Sequence, residues 1–180
     1  MKKFVFAVVF LSASACTALA QGDSTISRAG DLQIGGGYTS ANSDYLANRI
    51  RGLSFYSDFD FREHIGVEVD FHQVSDPNPT QVYERTYEVG GRYLRHYGRF
   101  TPYAKALIGR GVFNFYNAGS LAYNMYSLGG GVDIAVHRRI NVRADYEYQI
   151  WSSFQPNGLT PSLITIGAAY PFPSGNLTAR

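Results

Sequence analysis

From Ile140 to Ile150 the chain alternates without a break: Ile140, Val142, Ala144, Tyr146, Tyr148 and Ile150 are separated by Asn141, Arg143, Asp145, Glu147 and Gln149. A period of two belongs to a β-strand with one apolar and one polar face. Similar strand-type segments, rich in Val, Ile, Tyr, Phe, Thr and Gly, predict eight strands in all. They run from Asp31 to Ser40, Arg51 to Phe61, Ile65 to Ser75, Tyr83 to Arg95, Thr101 to Phe113, Tyr123 to Val136, Ile140 to Trp151 and Ser162 to Phe172. Each is about as long as the 9–11 residues that a tilted strand needs to cross a bilayer.

The connections come in two kinds. "REH" (62–64), "HYGR" (96–99) and "HRR" (137–139) are tight and polar, whereas 41–50, 76–82, 114–122 and 152–161 are longer and carry Asn, Asp, Pro, Ser and Gly as loop formers. Short turns at one end and long loops at the other suit an eight-stranded, antiparallel, up-and-down transmembrane β-barrel. The short turns would face the periplasm and the loops the exterior.

The period does not say which face meets water. The second strand sets Leu53, Phe55, Phe59 and Phe61 against Ser54, Tyr56, Asp58 and Asp60, and the third sets Ile65, Val67, Val69 and Phe71 against Glu68, Asp70 and His72. A soluble barrel would turn the apolar set inward. A membrane barrel inverts the assignment, with aromatics in lipid and charges in a lumen narrow enough for side chains to fill, where they have to pair. Parity across "HRR" places Asp133 opposite Arg143 on the polar face. The runs Gly35–Gly37 and Gly129–Gly131 lack the following helix of a phosphate loop, and are expected to permit curvature or clear space beside large inward side chains. Tyr146, Tyr148 and Trp151 toward the loops, with Tyr170 and Phe172 at the other end, are expected at the two bilayer interfaces.

Composition then adds a leader. Lys2 and Lys3 precede the run "FVFAVVFLSASACTALA", and Ala18 and Ala20 form a small-x-small pattern, so residues 1–20 read as a signal peptide and 21–180 as the barrel domain. Cys16, the one cysteine, is either lost with that leader or is the lipid-accepting residue of a lipoprotein signal. Loss of Lys2 and Lys3 takes the formal charge from +2 to zero, so the basic balance does not point to nucleic acid. Beyond residue 20 no apolar run approaches the roughly 20 residues of a membrane helix.

The glycine-rich strand, Val-Asp, basic turn and charged return strand of "SLGGGVDIAVHRRINVRADYEYQIW", with the last strand "LITIGAAYPF", resemble the small eight-stranded outer-membrane β-barrel family. That family includes the OmpA-type transmembrane domain and the opacity-type surface proteins. The resemblance implies a place in the cell outer membrane among its lipids, and recognition by the barrel assembly machinery through Gly167, Tyr170 and Phe172. Pro171 and the trailing "PSGNLTAR" depart from that ending. No cell-wall-binding domain follows the barrel in this sequence, so cell-wall anchoring has no residues behind it.

The leading expectation is a non-enzymatic barrel with a structural or surface-interaction role. Its lumen would be plugged by ion pairs among Asp58, Asp60, Glu68, Asp70, Glu88, Arg92, Lys105, Asp133, Arg143, Asp145 and Glu147. Partners would meet the four longer loops, with Tyr45, Phe115, Tyr116 and Phe154 as exposed contacts. A narrow pore, a soluble ligand-binding barrel and a lipid-modifying enzyme remain alternatives. For the enzyme, His64, His96 and His137 fall at short turns and His72 on the polar face, without a nucleophile motif beside any of them. No cofactor or metal is implied by ligand spacing.

Overall fold

A computed structural model describes residues 30–44, 48–76, 82–115, 119–152 and 158–172 of the chain. Eight antiparallel strands close into a barrel in chain order: β1 (Asp31–Asn42), β2 (Ile50–Arg62), β3 (Ile65–Ser75), β4 (Tyr83–Leu94), β5 (Phe100–Phe115), β6 (Gly119–His137), β7 (Ile140–Trp151) and β8 (Ser162–Phe172). The seam is a continuous ladder from Leu32↔Phe172 to Asn42↔Ser162. Closure leaves no strand edge to be satisfied, the condition for a sheet to stand in hydrocarbon. The leader, with Ala18, Ala20 and Cys16, lies outside the described residues.

The period of two becomes two walls. Phe55, Val69, Leu128 and Ile166 are 57, 51, 60 and 63% exposed on the outside, while Asp58, Glu68, Arg143 and Glu147 are at most 1% exposed inside. Phe55 and Val67 face out and Asp145 and Glu147 face in, so the soluble-barrel arrangement does not hold.

Two short turns share one device. The β6–β7 ladder keeps Asp133↔Arg143 and Ala135↔Asn141 in the expected register, then shifts at Val136 to pair His137 with Ile140. The β2–β3 ladder shifts likewise between Asp60 and Arg62. In each, the bulge absorbs the residue that an odd-numbered register leaves over, and a tight two-residue turn closes the hairpin. At the β4–β5 turn, Gly98 takes φ 62° between the mutually hydrogen-bonded Tyr97 and Phe100.

The longer loops are shorter than the sequence suggests. β1 takes in Ala41 and Asn42, and β5 and β6 run to 16 and 19 residues, pairing Asn114 with Ser120 and Phe115 with Gly119. Most of the expected 114–122 loop is therefore ladder. Asn, Ser and Gly act here as strand residues: the Ser120 hydroxyl donates to Asn114 Oδ1 at 3.1 Å and lies 3.2 Å from the Tyr83 hydroxyl, and Gly119 turns the chain at φ 87°.

Candidate functional site

The lumen holds the chemistry, in two tiers. Toward the short turns, seven buried carboxylates (Asp58, Glu68, Asp70, Glu88, Asp133, Asp145 and Glu147) surround three buried cations, Arg92, Lys105 and Arg143, while the buried Glu84 lies at the loop end of β4, opposite Val74 and Phe113. An unpaired buried charge is costly, and sharing answers the imbalance. Arg143 grips Asp133 through Nε (2.7 Å to Oδ1) and Nη2 (2.9 Å to Oδ2), and its Nη2 also reaches Asp58 at 2.5 Å. Arg92 meets Asp58 at 2.6 Å, Asp133 at 3.0 Å and Glu68 at 3.3 Å. One ammonium, that of Lys105, has Asp70 at 2.6 Å, Glu68 and Glu147 at 3.0 Å and Asp145 at 3.1 Å.

Aromatic rings complete this tier. The Arg143 guanidinium lies 4.0 Å from the ring centroid of Tyr56 and 4.8 Å from that of Tyr103, and Arg92 lies 4.5 Å from Tyr103. Such desolvated cation–π contacts contribute up to about 2 kcal/mol each. The Tyr103 hydroxyl donates to Asp145 at 2.5 Å. Gly35 is what admits the Tyr56 ring, because a Cβ there would overlap it.

Two predicted members stand apart. Asp60 is half-exposed at the rim, with Arg92 Nε at 3.6 Å. Glu88 has no cation within ion-pair distance among the described residues; Ser127 Oγ (2.6 Å) and Gln149 Nε2 (2.9 Å) donate to it instead. Neutral donors satisfy this carboxylate in place of a cation.

Toward the loops the lumen turns apolar. Val82, Phe113, Met125, Trp151 and Leu159 form one buried cluster, and Ala41, Ile50, Val74 and Leu163 form another. Trp151, expected at a bilayer interface, is 1% exposed and inside, because its odd number continues the inward face of β7. Its indole fits over Gly111, where a Cβ would collide with the ring. Phe115, expected as an exposed contact, packs half-buried against the same cluster. Tyr45, Tyr116 and Phe154 lie outside the described residues. The Trp151 indole N–H donates to Gln149 Oε1 at 3.0 Å, and Gln149 Nε2 donates to Glu147 at 2.7 Å, so the tiers are joined.

The sequence pattern missed the apolar tier, Tyr103 and the amides of Gln33 and Asn141, which link to Asp58 and to each other at 3.0 and 2.5 Å. The available signal was parity, since each lies on the polar face of its strand.

Chemistry in the lumen is constrained by this packing. Asp70, His72 and Glu147 each bring a donor atom within 4.8 Å of one another, but both carboxylates already share the Lys105 ammonium, which a metal ion would have to displace. The His72 ring has Thr39 Oγ1 at 3.5 Å and Glu147 at 3.8 Å, and Thr39 Oγ1 lies 2.7 Å from Thr165 Oγ1. The two separations to His72 exceed the 2.6–3.2 Å of a working nucleophile–base pair. A void among Ser54, Tyr56, His72 and Thr165 measures about 10 Å³, the lower limit for one water.

At the end of β8, Tyr170 points outward, 40% exposed, with its ring 4.9 Å edge-on from that of Phe172. Gly167 pairs with Gly37 and Arg143, and Pro171 sits opposite Gln33 near the strand end.

An apolar exterior, closed backbone pairing and a charged interior define an integral β-barrel membrane protein. The family model described as outer membrane protein beta-barrel domain matches residues 6–172, and the chain belongs to that family. The protein is accordingly an outer-membrane protein of the Gram-negative envelope. Among solved structures, the Neisserial surface protein A is similar with a TM-score of 0.62 at 14% identity, over 80% of this chain and 97% of that one. The N-terminal β-barrel domain of Pseudomonas aeruginosa OprF aligns with a TM-score of 0.60 at 13% identity, over 79% and 99%. Ail of Yersinia pestis, in complex with the heparin analogue sucrose octasulfate, aligns with a TM-score of 0.55 at 22% identity, over 79% and 99%. At these identities the likeness is one of fold. No curated protein sequence matches the chain significantly.

Proposed function

We infer that this protein is a non-enzymatic, non-conducting outer-membrane barrel whose body anchors a set of extracellular loops, which engage any partner. The observation that carries the reading is the lumen closed twice over, by shared ion pairs below and by Phe113, Met125, Trp151 and Leu159 above. Two filled tiers leave little room for a hydrated ion, which disfavours a pore. Catalysis is disfavoured by the loose, fully enclosed arrangement around His72. A surface role places the recognition chemistry in 41–50, 76–82, 152–161 and the β5–β6 tip, and the polyanion bound to Ail makes extracellular anions a reasonable first set of ligands to screen.

In the same reading, residues 1–20 are a leader removed after Ala20, and Gly167, Tyr170 and Phe172 present the last strand to the assembly machinery. The test is planar-bilayer recording of the folded protein. Flat baselines are expected, and reproducible conductance steps that scale with protein would overturn the closed-lumen reading.

A further inference from the structure

Glu84 is the charged group that neither tier of the lumen accounts for. It is 2% exposed on the inner face of β4, and its ladder partners are Val74 and Phe113, one from each apolar cluster. Its carboxylate accepts a hydrogen bond from the hydroxyl of Ser43, itself buried just beyond the end of β1, so the side chain joins two segments at the mouth of the lumen. The other oxygen, Oε1, is buried without a hydrogen-bond partner among the described residues. Orphaned groups of this kind are rare in native proteins, and each calls for a partner.

The chain has no cation to supply one. Residues 43–48, 76–84, 111–136 and 150–172 contain no Lys, Arg or His. Of the arginines at this end, Arg49, Arg51 and Arg110 are exposed, and Arg85 donates to Gln73 on the outer face of its strand. What lies beside Glu84 instead is a second carboxylate. Asp44 directly follows Ser43 and repels Glu84. Asp44 is itself held, since the backbone N–H of Thr160 (3.2 Å) and the Thr160 hydroxyl both donate to its Oδ2. Thr160 therefore occupies one of its two oxygens.

This end of the lumen thus brings together a buried carboxylate with an unused oxygen, a solvent-facing carboxylate and a serine hydroxyl, in loops that carry no His or Cys. An all-oxygen donor set with two negative charges suits a hard divalent cation. Donors drawn from separate segments, with water on the loop side, fit the tolerant coordination of calcium better than the strict octahedron of magnesium.

We propose that Glu84 and Asp44 bind a calcium ion at the extracellular mouth of the lumen, with Glu84 Oε1 as the buried ligand. The ion provides the positive charge that the apolar tier lacks and ties the chain after β1 to β4. Extracellular loops are thereby set by the calcium level outside the cell.

The test is terbium luminescence of the full chain folded in detergent micelles. Excitation passes through Trp151, whose backbone pairs with Leu159 beside Thr160, and through Tyr83 beside Glu84. The wild type is expected to give saturable emission that calcium chloride displaces, with an apparent calcium Kd of about 0.1–1 mM, the range of extracellular calcium modules. Glu84→Gln, a neutral isostere, and Asp44→Asn, which keeps an acceptor for Thr160, should each lower terbium affinity about tenfold or more, while Glu63→Gln at the opposite rim leaves it unchanged. Should a variant fold poorly, the wild type gives a second reading: calcium at about 10 mM should raise its urea midpoint above that in sodium chloride of equal ionic strength. Absence of that rise, displacement by sodium as effective as by calcium, or undiminished terbium affinity in either folded variant would overturn the proposal.

Discussion

The two tiers of the lumen solve the same packing problem by opposite means. Near the periplasmic turns the space is filled by ionised groups, and each cation serves several carboxylates: Lys105 serves four. Near the extracellular loops it is filled mainly by Trp151, Phe113, Met125 and Leu159, with no ion pair among the described residues of that tier. The lower tier is sealed from solvent inside the wall, where a polar side chain cannot reach water and must be satisfied within the protein. The upper tier rises toward the aqueous side, where exclusion of water is itself favourable and apolar contact suffices. Polar interiors therefore need not be uniform along the axis of a narrow barrel.

The largest effect should come from the lower tier. Arg143→Ala leaves Asp58 and Asp133 to share Arg92 alone, and removal of one partner from a buried network costs about 3–5 kcal/mol. Urea unfolding from lipid vesicles, followed by the mobility difference between unboiled and boiled samples on a gel, is expected to show that loss. An unchanged midpoint would mean that the network adds nothing to stability.

Trp151→Ala removes the main ring of the upper tier and should cost about 3 kcal/mol in the same assay, yet leave bilayer recordings flat, because the ion-paired tier still closes the lumen. Appearance of steady conductance in this variant would show that the upper tier alone seals the barrel. Gly111→Ala should cost about 1–3 kcal/mol by overpacking, since the added carbon meets the Trp151 ring. Combined with Trp151→Ala, the same substitution should be nearly silent, a non-additivity that a double-mutant cycle measures. The smallest effect is expected from salt. Buried pairs are screened little, so a rise from about 0.1 to 1 M salt should shift the unfolding midpoint far less than Arg143→Ala does.

Much of this was legible along the chain because β-structure writes its two faces at alternate positions. The bounds of β3, β7 and β8 coincide with the expected strands, and parity across the 137–139 turn predicted Asp133 opposite Arg143, which the ladder contains. What stayed hidden depends on the curvature of the closed wall. Asp58 and Arg143 are separated by 85 positions and meet only because β2 and β7 face each other across the lumen. The four carboxylates around Lys105 come from β3 and β7, and no local spacing announces that set. Trp151 was misplaced for a related reason: its chemistry suits a bilayer interface, but its parity put it inside, and parity prevailed. Asn114, Gly119 and Ser120 read as loop because turn formers were weighed without the ladder that β5 and β6 build beneath them.

The central claim, that the wall is inverted and carries its apolar tier inside as well as out, is tested most directly through Trp151, the chain's one tryptophan. The folded protein would be placed in vesicles whose acyl chains carry bromine, a contact quencher of indole fluorescence. Trp151 should be quenched far less than the tryptophan of a Trp151→Phe, Ile108→Trp variant, whose indole stands on the outer wall. Equal quenching of the two would contradict the account.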